Sequence, residues 1–238
     1  MNMIKNLIYD FGRVLVTYDF EHISSFGFAS EEDLQSFVNI VSDPAFVRRC
    51  DLELIPFEDL IREMQHTYPQ WKEQWQLFYD RYLEFVTGEM PGMYAYMTEL
   101  KARGYKLYGL SNWCSTIYRV MKEYKIFNLL DGFVVSSDYQ LVKPDPAIYR
   151  VMKEYKIFNL LDGFVVSSDY QVVKPDPAIY RILLDKYDLK AEECVFADDR
   201  ADNVEAAQQV GMQAIVFTTT EAYKEALEPL LAGNEDPI

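Results

Sequence analysis

The chain has 238 residues, of which 50% are hydrophobic and 15% aromatic, so it can bury a sizeable core, and disorder of the whole chain is excluded. Its formal net charge of −15 repels nucleic acid and anionic lipid, and any anionic ligand therefore needs a locally positive site. No apolar run approaches the roughly 20 residues of a membrane span, no leader-like segment opens the chain, and the three cysteines form no C-x-x-C pair. We therefore expect a cytoplasmic protein with free thiols and with no membrane or nucleic-acid partner.

The chain begins with a predicted buried strand over 4–9 that ends at Asp10. Residues 20–86 have helical patterning, with Ser30 and Asp33 forming a capping-box-like start. Six aromatic residues further on fall along one stripe, which we interpret as a single helix packed on other helices. They are Trp71, Trp75, Phe78, Tyr79, Tyr82 and Phe85.

Helices and strands alternate after residue 92. The predicted helices cover 93–103, 118–125, 178–186 and 204–210, and the predicted strands cover 106–110, 133–136, 194–197 and 213–217. This alternation predicts an α/β fold with a Rossmann-like parallel sheet that has helices on both faces. The expected domains are an α/β core of 1–19 and 87–238 and a helical insert of 20–86.

A direct tandem duplication interrupts this pattern. Residues 117–147 and 148–178 are identical except that Leu141 in the first copy corresponds to Val172 in the second. Two near-identical copies in an otherwise non-repeating chain indicate a recent or engineered duplication, or a sequence artefact, rather than a repeat architecture. Because a structureless surplus copy would expose many apolar side chains, we expect it to form an added strand and helix at the sheet edge, or to dock onto a second chain.

Polar groups follow the predicted strands at their carboxyl ends, where open α/β sheets bind ligands. They are Asp10, Ser111, Lys143 or Lys174, and the pair Asp198 and Asp199. One carboxylate can attack phosphorus, a second can help to hold Mg²⁺, and the lysine and hydroxyl can stabilise the phosphoryl oxygens. The set predicts metal-assisted phosphoryl transfer.

Four motifs carry a resemblance to the haloacid dehalogenase-like hydrolase superfamily that covers essentially the whole chain. They are YDFGRVL at 9–15, LSN at 110–112, VKPDPAIY around each repeated lysine, and FADDRADN at 196–203. The helical insert resembles the family's cap. The motif text is most similar to bacterial sugar-phosphate phosphatases of the glucose-1-phosphatase kind and to the phosphatase domain of soluble epoxide hydrolase.

The resemblance implies a role for each matching residue. Asp10 would be the nucleophile, Lys174 or Lys143 would pair with it, and Ser111 and Asn112, with Arg13, would bind substrate phosphate. The Mg²⁺ site implied by the resemblance comprises Asp10, Gly12 through its carbonyl, and Asp199, supported by Asp198 and Asn203.

One position departs from the pattern of most phosphatases of the superfamily, which place a second aspartate two residues after the nucleophile. That position is Gly12 here, as in the sugar-phosphatase group, and a glycine cannot protonate a leaving group. Asp19, at the entry to the helical insert, is a candidate for the missing acid, and a carboxylate that caps the hinge is the alternative interpretation of it.

The sequence leaves the choice of lysine open. Ser111 to Lys143 is 32 positions, Lys174 to Asp198 is 24, and both spacings look normal for the family. Lys174 is slightly favoured because it keeps the normal connection to the distant acidic pair.

The sequence supports one leading function and two alternatives. We expect a Mg²⁺-dependent phosphatase acting on a small phosphorylated metabolite, with a sugar phosphate as one candidate. It would be a monomer or a homodimer, for which the duplicated segment is a candidate contact. The first alternative is a haloacid dehalogenase that uses the same aspartate. The second is a catalytically impaired variant that serves as an assembly protein.

Overall fold

The computed structural model describes residues 3–139 and 174–232. Its strands are β1 (Asn6–Tyr9), β2 (Val16–Tyr18), β3 (Val86–Glu89), β4 (Lys106–Ser111), β5 (Gly132–Val135), β6 (Cys194–Asp198) and β7 (Gln213–Val216). Five of them form a parallel sheet in the order β5-β4-β1-β6-β7, and β2 and β3 form an antiparallel pair. The predicted Rossmann-like parallel sheet is confirmed.

The α-helices of the described residues lie before, between and after these strands. They are α1 (Glu31–Val41), α2 (Pro44–Leu52), α3 (Phe57–Thr67), α4 (Lys72–Asp80), α5 (Met93–Ala102), α6 (Ile117–Glu123), α7 (Pro177–Lys186), α8 (Ala201–Gln209) and α9 (Thr220–Leu231). Short 3-10 helices occur at Glu21–Phe26, Pro69–Trp71, Tyr82–Phe85, Lys125–Leu129, Ser136–Tyr139 and Ala191–Glu193. None of the helices in 3–139 or 174–232 is long and apolar enough to cross a bilayer.

Helices cover both faces of the main sheet because successive strand residues point to opposite sides. In β1, Leu7 and Tyr9 join the buried cluster that includes α5, α6 and α9, whereas Ile8 joins the cluster of α7 and α8. The central strand is therefore buried on both faces, and its carboxyl end carries Asp10 into the middle of the molecule.

The segment between β2 and β3 is helical, as predicted. Ser30 caps α1 by accepting a hydrogen bond from the Asp33 amide at 3.1 Å. The antiparallel pair of β2 and β3 lies where this segment leaves and rejoins the core, and the Asp19 amide donates to the Phe85 carbonyl across it at 3.0 Å. The assignment of 20–86 as a separate cap domain stays a prediction.

The aromatic stripe does not lie on one helix, which corrects the sequence interpretation. α4 ends at Asp80, and the chain tightens into the 3-10 helix of Tyr82–Phe85. The break keeps Phe85 buried, with its ring centroid 5.2 Å from that of Phe78. Strand β3 and helix α9, which the sequence analysis did not predict, complete this region and the core.

The duplicated segment is described only in part. The structure covers 117–139 of the first copy and 174–178 of the second, and β5 of the first copy forms one edge of the described sheet. The predicted extra edge unit and Lys143 lie outside the described residues.

Candidate active site

The carboxyl ends of three neighbouring strands bring the predicted polar residues together. β1 lies between β4 and β6 in the parallel sheet, so Asp10, Ser111 and Asp198 share one edge. The Asp10 amide donates to the Ala197 carbonyl at 2.9 Å, which continues the ladder to the start of the site.

Lys174 lies buried between two of these carboxylates. Its Nζ is 2.7 Å from Oδ1 of Asp10 and 2.5 Å from Oδ2 of Asp198, and its side chain is 1% exposed. Burial opposes the charge of the lysine, but the two carboxylates outweigh it and raise the pKa of Lys174. Burial also opposes the charge of Asp10. It raises the pKa of this carboxyl group to about 6, although the nearby Lys174 ammonium acts to lower it. Lys174, Asp10 and Asp198 therefore form a buried group of one cation between two carboxyl groups.

The acidic pair after β6 divides into a buried and a more exposed member. Asp198 is fully buried, and its Oδ1 accepts hydrogen bonds from the Arg200 amide and the Asn203 side chain, both at 2.9 Å. Asp199 is partly exposed, and its Oδ2 lies 3.9 Å from Nη1 of Arg13. Asp198 is therefore fixed by the start of α8, while Asp199 faces the open side of the site.

The carboxylates form a group that fits a divalent cation. One oxygen each from Asp10, Asp198 and Asp199 lie within 4.8 Å of one another. Oδ1 of Asn203, at the same edge, is buried and accepts no hydrogen bond from the described residues. Several hard oxygen donors with a spare acceptor beside them match the preference of Mg²⁺ for carboxylates and bound water.

Asn112 is engaged with the main chain of Lys174. Its Nδ2 donates to the Lys174 carbonyl at 3.1 Å, and its Oδ1 accepts from the Lys174 amide at 2.9 Å. Both side-chain groups of Asn112 are thus used to hold the main chain of Lys174. The predicted contact between Asn112 and substrate phosphate stays a prediction. Ser111 is 1% exposed at the end of β4 and lines the same cavity as Asp10.

The position of Gly12, where most phosphatases of the superfamily have an aspartate, is crowded by aromatic side chains. A Cβ atom on Gly12 would lie 2.8 Å from Cε1 of Tyr18 and 3.6 Å from Cζ3 of Trp113. The Tyr18 ring also lies 5.1 Å from the Arg13 guanidinium, and Arg13 adopts a positive φ of 58°. Aromatic rings therefore occupy the space that an acidic side chain on residue 12 would need.

A cavity of about 330 Å³ opens above these strand ends. Its charged end contains the predicted residues Asp10, Gly12, Arg13, Ser111, Asn112, Lys174, Asp199 and Asn203. Its other end is formed by the helical segment. Asp198 supports Lys174 and Asn203 from behind and does not itself line the cavity.

Asp51, at the end of α2, lines this cavity and was not singled out from the sequence. Burial raises its pKa to about 7, the negative charge of Asp10 adds to this rise, and Lys174 opposes it. Ser136 donates a hydrogen bond to its carbonyl, which anchors α2 on the core. No motif marks Asp51, because its importance comes from the packing of α2 over the strand ends.

Asp19 does not line the cavity in the described structure. Its Oδ1 accepts a hydrogen bond from the Glu21 amide at 3.1 Å, at the entry to the helical segment. This is the contact expected of a capping carboxylate at the hinge.

Comparison with known proteins agrees with this geometry. A sequence model of haloacid dehalogenase-like hydrolases matches residues 147–211, which contain Lys174, Asp198 and Asp199. A predicted HAD-like family hydrolase from Porphyromonas gingivalis is 18% identical, with a TM-score of 0.65 over 97% of this chain and 98% of that one. The chain has the haloacid dehalogenase-like fold.

Two further structures extend the comparison. A HAD family enzyme from Bacteroides thetaiotaomicron, solved with magnesium and inorganic phosphate, is 20% identical, with a TM-score of 0.61 over 94% of this chain and 98% of that one. A dehalogenase solved with an intermediate is 15% identical, with a TM-score of 0.56 over 90% and 84% of the two chains. A comparison with curated proteins gives no match. The resemblance to the haloacid dehalogenase-like superfamily is confirmed, and the family whose model matches is one of hydrolases, as predicted.

Proposed function

We propose that this haloacid dehalogenase-like protein is a Mg²⁺-dependent phosphomonoesterase that acts on a small phosphorylated metabolite through an aspartyl-phosphate on Asp10. The observation that carries the proposal is the pairing of Asp10 with a buried lysine beside two further carboxylates at one sheet edge. The HAD family enzyme from Bacteroides thetaiotaomicron, which shares this fold, was solved with magnesium and phosphate, which supports the same chemistry here.

Different residues of the site would bind the metal, attack phosphorus and contact the phosphoryl oxygens. Asp10 and Asp199, with the Gly12 carbonyl, would hold Mg²⁺, and Asp198 and Asn203 would support it. The cation, when bound, neutralises phosphate charge. The Lys174 ammonium opposes the burial that raises the pKa of Asp10, so it favours the ionised carboxylate for attack on phosphorus. It also lines the cavity, where it would contact a phosphoryl oxygen. Ser111 would donate to a second phosphoryl oxygen.

A proton must still reach the leaving group, and Gly12 cannot supply it. Asp51 is the carboxyl group that the helical segment contributes to the cavity among the described residues. Burial raises its pKa to about 7, which favours the protonated form that a general acid needs. We assign the proton donation to Asp51.

The decisive experiment is phosphate release from a panel of phosphorylated metabolites, measured with Mg²⁺ and with a chelator. We expect turnover that is lost on chelation and absent in Asp10→Asn. Hydrolysis that persists in the chelator, or in the Asp10 variant, would refute the proposal.

Two alternatives have their own readouts. A dehalogenase would release halide from 2-haloacids without needing a metal. If the intact chain were inactive and deletion of residues 148–178 restored Mg²⁺-stimulated hydrolysis, the duplication would have impaired the enzyme, and an assembly role would be favoured.

A further inference from the structure

We infer that the phosphate ester carries an apolar leaving group about the size of one six-membered ring, rather than a sugar. This inference rests on the proposed function and concerns only the part of the substrate beyond the phosphoryl group. It follows from the contrast between the two ends of the cavity.

The charged groups of the cavity are concentrated at the strand ends. Asp10, Lys174 and Asp199 lie there, with Arg13 and Arg200 at the rim. This end suits a phosphoryl group and a cation.

The opposite end is an aromatic wall. Phe46 of α2, Phe78 of α4 and Phe85 line it, and each is at most 6% exposed. Their ring centroids are 6.4 Å apart for Phe46 and Phe78 and 5.2 Å apart for Phe78 and Phe85, so the rings form a continuous surface. Phe20 extends the wall, with its ring centroid 5.4 Å from that of Phe85.

Few polar groups on this wall could replace the hydration of a sugar. Asp51, Cys50 and the Tyr82 hydroxyl are the polar side chains that the segment 20–86 contributes to the cavity. The Tyr82 hydroxyl already accepts a hydrogen bond from the Cys114 thiol, and Asp51 is assigned to proton donation. Tyr18 and Trp113, beside Gly12, add one hydroxyl and one indole N–H to the cavity lining. These groups are fewer than the hydrogen bonds to water that the several hydroxyls of a sugar would lose, whereas an apolar ring would gain from leaving water.

The size of the cavity limits the leaving group. A volume of about 330 Å³ is at the lower end of ligand pockets, which span roughly 300–1,000 Å³. This volume must also contain the phosphoryl group, which leaves room for about one ring and not for a nucleoside.

The test compares kcat/KM for benzyl phosphate, cyclohexylmethyl phosphate and glucose 6-phosphate in the presence of Mg²⁺. All three are esters of primary alcohols, so they differ mainly in the polarity of the ring. We expect both apolar esters to exceed glucose 6-phosphate by at least about tenfold. Equal or better turnover of glucose 6-phosphate would overturn the inference. If the protein hydrolysed neither these three esters nor any other phosphate ester, the result would instead count against the proposed function.

A pair of variants locates the selectivity. Phe46→Leu removes a ring of the wall, and Phe37→Leu is the matched control, because Phe37 is fully buried in the same segment but does not line the cavity. The readout is the ratio of kcat/KM for benzyl phosphate to that for glucose 6-phosphate, which does not depend on how much of the variant folds. We expect Phe46→Leu to lower this ratio about fivefold or more and Phe37→Leu to leave it within twofold. An unchanged ratio in Phe46→Leu, or an equal change in both variants, would refute the assignment.

Discussion

The side-chain amide of Asn112 makes two hydrogen bonds with the main chain of Lys174, one to its carbonyl and one from its amide. These residues are 62 positions apart in the chain. The contact joins the end of β4 to the residue whose ammonium group lies beside Asp10. It explains how a lysine near the end of the second copy of the duplicated segment is held at the site.

The two copies of the duplicated segment provide a matched pair of lysine variants. We expect Lys174→Ala to lower kcat by about 10²–10³-fold, because the variant loses the cation that stabilises Asp10 and the phosphoryl oxygens. Lys143→Ala, at the equivalent position of the other copy, should keep nearly full activity. Steady-state assays of both variants decide the matter, and equal losses would refute a site with a single lysine.

The crowding around Gly12 predicts a strong dependence on Tyr18. Gly12→Ala should lower the free energy of unfolding by about 1–3 kcal/mol, because the new Cβ would overlap the Tyr18 ring. Adding Tyr18→Ala should remove most of that penalty, measured as a coupling energy in urea unfolding of the double-mutant cycle. Strictly additive effects would mean that the ring does not restrict position 12.

The role assigned to Asp51 predicts a dependence on the leaving group. Asp51→Asn should lower kcat for benzyl phosphate by about 10²–10⁴-fold, and much less for p-nitrophenyl phosphate, whose leaving group needs no proton. In the unmodified protein, kcat for benzyl phosphate should fall as the pH rises and Asp51 loses its proton. This decrease, the alkaline limb of the pH profile, should disappear in Asp51→Asn.

Asp19→Asn is the control for the acid, because Asp19 contacts the Glu21 amide and does not line the cavity of the described structure. It should leave the pH profile unchanged. If Asp19→Asn removed the limb and Asp51→Asn did not, the assignment of the two residues would be reversed.

The raised pKa of Asp51 also predicts a change of stability with pH. An unfolded chain releases this proton near pH 4, whereas the folded protein keeps it up to about pH 7. The folded state therefore binds more protons between these values, and the contribution of Asp51 to stability falls as the pH rises. In metal-free urea unfolding, Asp51→Asn should gain stability relative to the unmodified protein from pH 4 to pH 8. A constant difference would show that Asp51 titrates normally.

The acidic residues after β6 predict different effects on the metal requirement. Asp199→Asn should raise the Mg²⁺ concentration for half-maximal activity at least about tenfold, because it removes a charged oxygen from the cluster. Asp202→Asn is the control, since Asp202 is exposed and pairs with Arg200 at 2.6 Å outside the cluster. Similar shifts in both variants would argue for a general electrostatic effect instead of a ligand.

Local patterns were sufficient for most elements and for the strand-end residues. The capped start of α1, the alternation that produces the parallel sheet and the positions of Asp10, Ser111 and Asp198 follow from the sequence, because helix caps and strand periodicity depend on neighbouring residues. The break between α4 and the 3-10 helix could not be predicted, since Phe85 is buried against Phe20 and Phe26 from the other end of the helical segment.

The sequence by itself determined the chemical groups of the site and the sheet that collects them, because parallel strands place their carboxyl ends at one edge whatever the connecting segments contain. Only the tertiary structure decided that Lys174 lies against Asp10, that Asp51 faces the same cavity and that Tyr18 fills the space beside Gly12. The first two relationships join residues from distant parts of the chain and depend on how α2 and the strand ends pack, which no local spacing encodes. The third depends on the turn that brings Gly12 and Val16 together as a β-bridge.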